Sequence, residues 1–327
     1  MDYWRFVAKI LSPNQENIDL TLKFLQNGGA IGLPTETVYG LAGDATNPRA
    51  IANIFAIKSR PQFNPLISHV SGLEMALEYG VFSRIAHKVT NAFWPGPLTI
   101  VVPRRADCAI CDLACAGLET VALRAPKHPI AQEIIRGFGK PIAAPSANIS
   151  GSISPTSAND VLVELGDKLD IIIDGGYCEI GLESTVVAIL GDEITLLRHG
   201  SIGIEELENA AGVRVNFANL HNENSPKSPG MMLRHYAPKT KVRLNATSAS
   251  EDEVFLSFDT APPTALGKII HLSPSGNLTE AATNLYAAMR EADKLSAKTI
   301  AIAPIPNIGI GAAINDRLVR ASTNCFP

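Results

Sequence analysis

No apolar stretch in this sequence reaches the roughly 18 to 20 residues that a membrane-spanning helix requires. The opening "MDYWRFVAKILSPNQ" has too short an apolar part, and turns polar too soon, to act as a secretory signal, so a cytoplasmic location is expected. Cysteine is scarce, at 5 residues, an odd number that suits a reducing compartment rather than a disulfide framework. Positive charge is not in excess. Lys plus Arg number 28 against 32 for Asp plus Glu, and the net charge of −4 excludes a protein that coats nucleic acid by bulk charge, while leaving room for a local basic cleft. Aromatics make up only 6% and do not interleave with the cations, as a single-strand-binding surface would need. There is no G-x-x-x-x-G-K-[ST], no G-x-S-x-G and no H-E-x-x-H. "NIGIGAAIN", near the C-terminus, lacks the third glycine of a dinucleotide-binding loop.

What is present is an α/β alternation. With 46% apolar and 18% charged residues over 327 positions, the chain can fill a substantial core and divide into two domains. "NIDLTLKFLQNGG" sets Ile18, Leu22 and Leu25 at helical spacing and stops on Gly28-Gly29. "PRAIANIFAIKSR", residues 84–94 and "HPIAQEIIRGFG" predict further helices. "AIGLP", "PLISHV", "LTIVVP", "TVALRAP", "PIAAPSANISG", "DIIID", "STVVAIL" and "ITLLRHG" predict strands. From residue 213 the polar "NFANLHNENSPKSPGMMLRHYAPKT" shows no period and reads as a linker. Beyond it "KVRLNA", "EVFLSF", "KIIHLS" and "TIAIAPIP" read as strands, with helices at about 277–295 and in "GIGAAINDRLVRAS", the pattern of a small, mainly parallel sheet. The expected division is 1–212, 213–239 and 240–327.

Polar residues gather where these strands end, which is where open α/β sheets bind ligands. "LPTETVYGLAGDA" leaves a buried strand and at once presents Thr35, Glu36, Thr37 and Tyr39. Tyr39 reads equally as a packing residue, and Glu36 as a partner for a neighbouring cation. Lys58 and Arg60 sit in "KSRPQFNP" with Asn64, Arg124 ends one strand, Arg198 ends another, and Arg234 lies in the linker. Arginine at such points suits phosphate or carboxylate, although any one of these cations reads as well as surface decoration. "APSANISGSISPT" offers Ser146, Asn148, Ser150, Ser152 and Ser154 after a strand, and "GLESTVV" offers Ser184 and Thr185. His69 lies within a strand, where a core histidine is the plainer reading. Cys108, Cys111 and Cys115 in "CAICDLAC" are spaced as one face of a short helix, with no fourth metal ligand near them.

Taken in order, "PTETVYGLAGDA", "KSRPQFNPLISHV", "FWPGPLTIVV", "GLETVALRAP", "PIAAPSANISGSISPT", "GLESTVVAI" and "LLRHGSI" resemble the threonylcarbamoyl-AMP synthases, and "SPGMMLRHYAP" with the α/β tail resembles the longer, two-domain branch of that family. The resemblance implies a YrdC-like twisted open sheet with a central cleft and a smaller Rossmann-like C-terminal domain. It implies that L-threonine, bicarbonate and ATP give threonylcarbamoyl-AMP and pyrophosphate, with Mg²⁺ carried by ATP. A separate complex then moves the threonylcarbamoyl group to tRNA. Carried over residue by residue, it places Lys58, Arg60 and Arg198 on the reacting phosphates. Thr35 or Thr37, His69, Arg124 and Ser184 fall on threonine, and Asn64, Thr120, Ser146, Asn148 and Ser154 on the nucleotide side. Arg234 and Tyr236 become part of a lid. Two departures stand out: His199 replaces the usual proline after the arginine, and Met232 and Leu233 replace a basic and an aromatic residue. Two rivals have different requirements. The carbamoyl-adenylate domain of hydrogenase maturation factors follows an acylphosphatase-like segment and zinc-finger cysteine pairs, and an RNA-binding module without catalysis would need stacking aromatics among its cations.

Overall fold

The computed structural model describes residues 7–218, 235–262 and 264–323. Among them, eleven strands form one mixed sheet: β1 (Lys9–Leu11), β2 (Ile31–Leu33), β3 (Gly40–Asp44), β4 (Ile67–His69), β5 (Leu98–Pro103), β6 (Thr120–Arg124), β7 (Ile142–Ala143), β8 (Ile171–Ile173), β9 (Thr185–Leu190), β10 (Glu193–Arg198) and β11 (Val215–Phe217). They lie side by side in the order β1-β8-β2-β3-β7-β4-β6-β5-β9-β10-β11. The second sheet is entirely parallel, as the sequence leads one to expect: β12 (Lys241–Arg243), β13 (Glu253–Ser257), β14 (Lys268–His271) and β15 (Thr299–Ile302), in the order β12-β15-β13-β14.

The helices start and stop for local reasons. Asn14 caps the helix Gln15–Gln26 by accepting from the Asn17 N–H. Asn47 caps Pro48–Lys58, whose Pro48 sits at the first turn, where its missing N–H does no harm. Gly139, with φ 70°, closes Pro129–Phe138 in the left-handed region. Gln15–Gln26 and Pro129–Phe138 bury Ile18, Leu25, Ile134 and Ile135 against β2 and β8, while Ile51, Ile54 and Phe55 join the larger core on Tyr39, Leu41 and Leu98. A third cluster, around Tyr286, Leu285, Phe258 and Ile314, also takes in Val38, Leu182 and Tyr236, so apolar packing runs across the boundary between the two sheets.

Several elements differ from the expectation. β3 occupies "GLAGD", inside the segment read as a polar turn. All five of its residues are buried, so it carries no alternation, and a Cβ at Gly40 would lie 3.0 Å from that of Ala144. β1 and β11 are three-residue strands too short to show a period, and the helices Ala158–Leu165 and Ile204–Ala211 were not read from the sequence. Because β11 pairs with β10, residues 215–217 belong to the first sheet and not to the linker.

The two units meet along the helix Leu278–Lys294. Thr283, Tyr286 and Arg290, three to four residues apart and hence on one face, reach the Glu179 carbonyl, the Glu183 carboxylate and the Ile153 carbonyl. Gly181, with φ 75°, allows the approach, since a Cβ there would lie 2.5 Å from the Thr283 carbonyl oxygen.

Candidate active site

Strand directions bring the polar residues together. Parallel β4 and β6 pair His69 with Arg124 at their C-terminal ends. β5 runs antiparallel to β6, so Gly96, just before β5, lies within reach of Arg124 and accepts from its Nε at 3.3 Å. β9 is parallel to β5 and antiparallel to β10, which returns Arg198 to Ser184. Ile67 and His69, two apart on β4, share a face, whose floor is Ile67, Val101, Ala122, Val186 and Leu197. Over it lies a cavity lined on its polar side by Thr37, Arg60, His69, Arg124, Ser146, Glu183, Ser184, Arg198, His235 and Tyr236.

One cluster forms around Arg124. Its Nη2 donates to Glu36 Oε1 at 2.7 Å and its Nη1 to Thr37 Oγ1 at 2.8 Å. Burial opposes the charge on Glu36, but the Arg124 guanidinium outweighs it and holds the carboxyl below its usual range. Burial and the adjoining Arg124 push His69 down to about 3, so its imidazole is neutral at physiological pH. Thr35 stands behind this cluster, bonding Thr37 Oγ1 at 2.9 Å and the Val38 carbonyl at 2.6 Å.

The second cluster forms around Ser184. Its Oγ lies 2.7 Å from Thr99 Oγ1 and accepts from Arg198 Nη2 at 3.1 Å, while Arg198 Nε donates to the Ser184 carbonyl at 3.1 Å. Arg60 is fixed by the turn that follows it, donating to the carbonyls of Asn64 at 3.2 Å and Pro65 at 3.0 Å, and burial lowers it to about 10. His235 packs edge-on to Tyr236 with ring centroids 4.0 Å apart, and burial brings its imidazole down to about 3.

Several polar atoms here have no hydrogen-bond partner among the described residues: His69 Nδ1, His235 Nδ1 and the Tyr236 hydroxyl in the cavity wall, with Glu36 Oε2 and both side-chain atoms of Asn64 beside it. Each such buried group costs about 1–3 kcal/mol when left unmade, so their concentration here marks a place built for a polar ligand.

Of the residues singled out from the sequence, Thr37, Arg60, His69, Arg124, Ser146, Ser184, Arg198 and Tyr236 line the cavity. Lys58 stands behind it, its ammonium donating to the carbonyls of Ser146 and, at 2.7 Å, Asn148. Asn148 braces its own loop through the carbonyls of Ile149 and Ser152, and Ser154 donates to Glu183 at 2.5 Å. Thr120 is not brought in: it begins β6, ~13 Å along the strand from Arg124. Arg234, Met232 and Leu233 lie outside the described residues. Tyr39 packs, its hydroxyl tied to Gly175 and Gly176, and Glu36 meets Arg124. Cys108, Cys111 and Cys115 pack on the main core, although only Cys115 falls within the short helix Asp112–Cys115. Sequence reasoning missed Glu183 and His235, which sit within "GLESTVVAI" and "LRHYAP" beside residues that it did pick.

Glu183 is held by three side chains. Oε1 accepts from Ser154, and Oε2 accepts from Tyr286 and from Arg317 Nε, each at 2.9 Å. Burial works against the charge, and Arg317 followed by Arg198 overcomes it, lowering the carboxyl from 4.5 to about 2. A carboxyl depressed on folding adds stability above its unfolded value and loses that contribution as pH falls through the folded one. The stability difference between the parent protein and Glu183→Gln, measured by denaturant titration, should therefore shrink between pH 4.5 and about 2. A constant difference would show that the ion pair adds nothing.

Residues 23–200 match the Sua5–YciO–YrdC family model, described as "Telomere recombination", and residues 202–323 match "Threonylcarbamoyl-AMP synthase, C-terminal domain". The Bacillus subtilis threonylcarbamoyl-AMP synthase is 35% identical, over 97% of this chain and 96% of the relative. Pyrococcus abyssi Sua5 complexed with L-threonine superposes with a TM-score of 0.84 at 34% identity, covering 97% of this chain and 96% of that one. A P. abyssi Sua5 with an adjacent histidine and tyrosine both replaced by alanine superposes at 0.85, with 32% identity and 96% of each chain covered. Two domain models that together span most of the chain, and relatives of matching length, establish that this chain belongs to the two-domain threonylcarbamoyl-AMP synthase family.

Proposed function

We propose that this chain joins L-threonine, bicarbonate and ATP into threonylcarbamoyl-AMP, with release of pyrophosphate, and so supplies the group that a separate complex places on tRNA. The carrying observation is one cavity in which three arginines, several hydroxyls and neutral imidazoles from distant segments converge, with polar atoms left unsatisfied. The P. abyssi relative bound to L-threonine supports the amino-acid half of this reading. Arg124, Thr37, His69 and Ser184 would receive threonine: a cation for the carboxylate, with hydroxyls and an imidazole for the alcohol and amine. Arg60 and Arg198, with Ser146 and Asn64, would face the nucleotide, and Lys58, Asn148 and Ser154 would set the loop between them. Tyr236, with His235, would close the cavity.

The threonine amine adds to bicarbonate with loss of water, giving a carbamate. A carbamate oxygen attacks the α-phosphorus, and the bond to pyrophosphate breaks. The chain supplies position and charge: guanidinium groups held by carbonyls before substrate arrives need little reorganisation as negative charge spreads over the phosphoryl oxygens. No side chain needs to form a covalent intermediate. Glu36 beside the cavity and Glu183 in its wall are each engaged with an arginine. Magnesium would enter as part of the ATP substrate. No helix among the described residues is long and apolar enough to cross a membrane.

Purified protein should release pyrophosphate from ATP only when both L-threonine and bicarbonate are present. A rate unchanged by leaving out either one would end this reading.

A further inference from the structure

Arg317 is the largest fully buried side chain among the described residues, and it comes from the last helix of the C-terminal domain, Ile310–Ser322. It does not line the cavity, yet every partner it has in the first domain stands in or next to the wall. Nε meets Glu183 Oε2 at 2.9 Å, and Nη2 donates to the His199 carbonyl at 2.8 Å, immediately after Arg198. Its guanidinium carbon lies 5.2 Å from the Tyr236 ring centroid, while Nη1 is held by its neighbour Asp316 at 2.7 Å. Tyr286 of the same domain stacks on Tyr236 at 5.8 Å and shares Glu183 Oε2. Tyr236 has φ 64°, a left-handed backbone that a residue with a Cβ adopts at a cost, so contacts outside its own turn hold it. Arg317 lies over its ring and Tyr286 stacks against it.

Charge points the same way. The cavity carries Arg60, Arg124 and Arg198, while Glu36 beside it and Glu183 in its wall supply the negative charge. Glu36 is matched by Arg124, and Glu183 is matched from behind by Arg317. A site that must admit a polyanion cannot leave a buried carboxylate uncompensated in its wall.

We propose that Arg317 is a positioning residue for the nucleotide half of the cavity: it holds the Glu183 carboxylate back against the C-terminal domain, offsets its charge, and fixes Tyr236, so that the C-terminal domain sets the affinity of a site it does not line. This rests on the nucleotide reading above. It gives the second domain a defined part in the reaction through two contacts, Arg317–Glu183 and Arg317–Tyr236.

The test compares Arg317→Met, Arg317→Lys and the double variant Arg317→Met/Glu183→Gln with the parent in full-length form, measuring kcat, the KM for ATP and for threonine, and thermal unfolding. Arg317→Met should raise the ATP KM about tenfold or more, with the threonine KM within about twofold, because the unmatched carboxylate repels the multiply charged phosphates far more than threonine, whose single carboxylate is matched by Arg124. Arg317→Lys should recover part of the loss. Removing the carboxylate's charge in the double variant should bring the ATP KM most of the way back, which restoring stability alone would not do. The proposal fails if the ATP KM of Arg317→Met is unchanged, if both KM values rise together, or if the double variant is no better than the single. Should Arg317→Met not fold, Arg317→Lys and Tyr286→Phe carry the comparison, with a smaller rise expected in the ATP KM alone and an unchanged value counting against the proposal. A parent that binds ATP but never turns over would sink the proposed reaction separately, and the ATP dissociation constants of the same variants would still decide the role of Arg317.

Discussion

Arg60→Ala should cut threonine-dependent pyrophosphate release by about 10²–10³-fold, the loss typical of removing one preorganised donor from developing oxyanion charge. The structure explains why the effect should fall on catalysis more than on folding. Arg60 donates to two backbone carbonyls, and no carboxylate pairs with it among the described residues, so its removal orphans no buried charge. Burial already lowers its pKa to about 10, which means that the folded chain gains little from the cation itself. The two carbonyls belong to buried Asn64 and Pro65, and losing their donor costs about 1–3 kcal/mol each without stranding an ion. Arg60→Lys should recover only part of the rate, since an ammonium keeps the charge but not the fork that spans both carbonyls and would reach a phosphate. Near-wild-type turnover by Arg60→Ala, measured as initial pyrophosphate release at saturating ATP, would remove Arg60 from the phosphate site.

Much of this arrangement is legible in the sequence because strand ends are marked by local composition. Apolar runs such as "LTIVVP" and "TVALR" end on Pro or Arg, and the residue at the end is the one the sheet delivers to its edge. Arg124 and Arg198 could be picked on that ground, and they converge with His69 and Ser184, which the family resemblance marked. Thr120 shows the limit of the same logic. It sits in a motif with Arg124, but the two stand at opposite ends of a five-residue extended strand, so membership of one motif does not imply membership of one site. Lys58 shows another limit. Composition marks it as a cation near phosphate, whereas only coordinates reveal that backbone carbonyls 88 and 90 residues away claim its ammonium.

The least legible features depend on long-range contacts. β3 is buried on both faces, so the period that identifies a half-exposed strand never appears. Glu183 reads as an ordinary acidic residue in a turn, because Arg317 and Tyr286, which give it meaning, lie more than 100 positions away. A buried arginine in a closing helix is indistinguishable from a solvated one by spacing alone. The helix "GIGAAINDRLVRAS" carries Arg317 three residues from Arg320, and only the first is sealed against the other domain.

Arg124→Ala should do what Arg60→Ala does not and damage fold and activity together. Arg124 is joined to Glu36 at 2.7 Å with both side chains about 95% buried, and its removal leaves a buried carboxylate whose Oε2 already has no hydrogen-bond partner among the described residues. Breaking one side of such a pair costs about 3–5 kcal/mol, most of it from stranding the other charge. Threonine binding should fall at least as steeply, since Arg124 also carries Thr37 Oγ1 and borders His69. Unfolding and threonine titrations can separate the two losses. In Arg124→Ala/Glu36→Gln no charge is stranded, so stability should return most of the way toward that of the parent, while threonine affinity stays low because the cation facing its carboxylate is still missing. If affinity returned with stability, Arg124 would be a partner for Glu36 and nothing more. If neither returned, the pair would matter through its packing, and the electrostatic account of this cluster would fail.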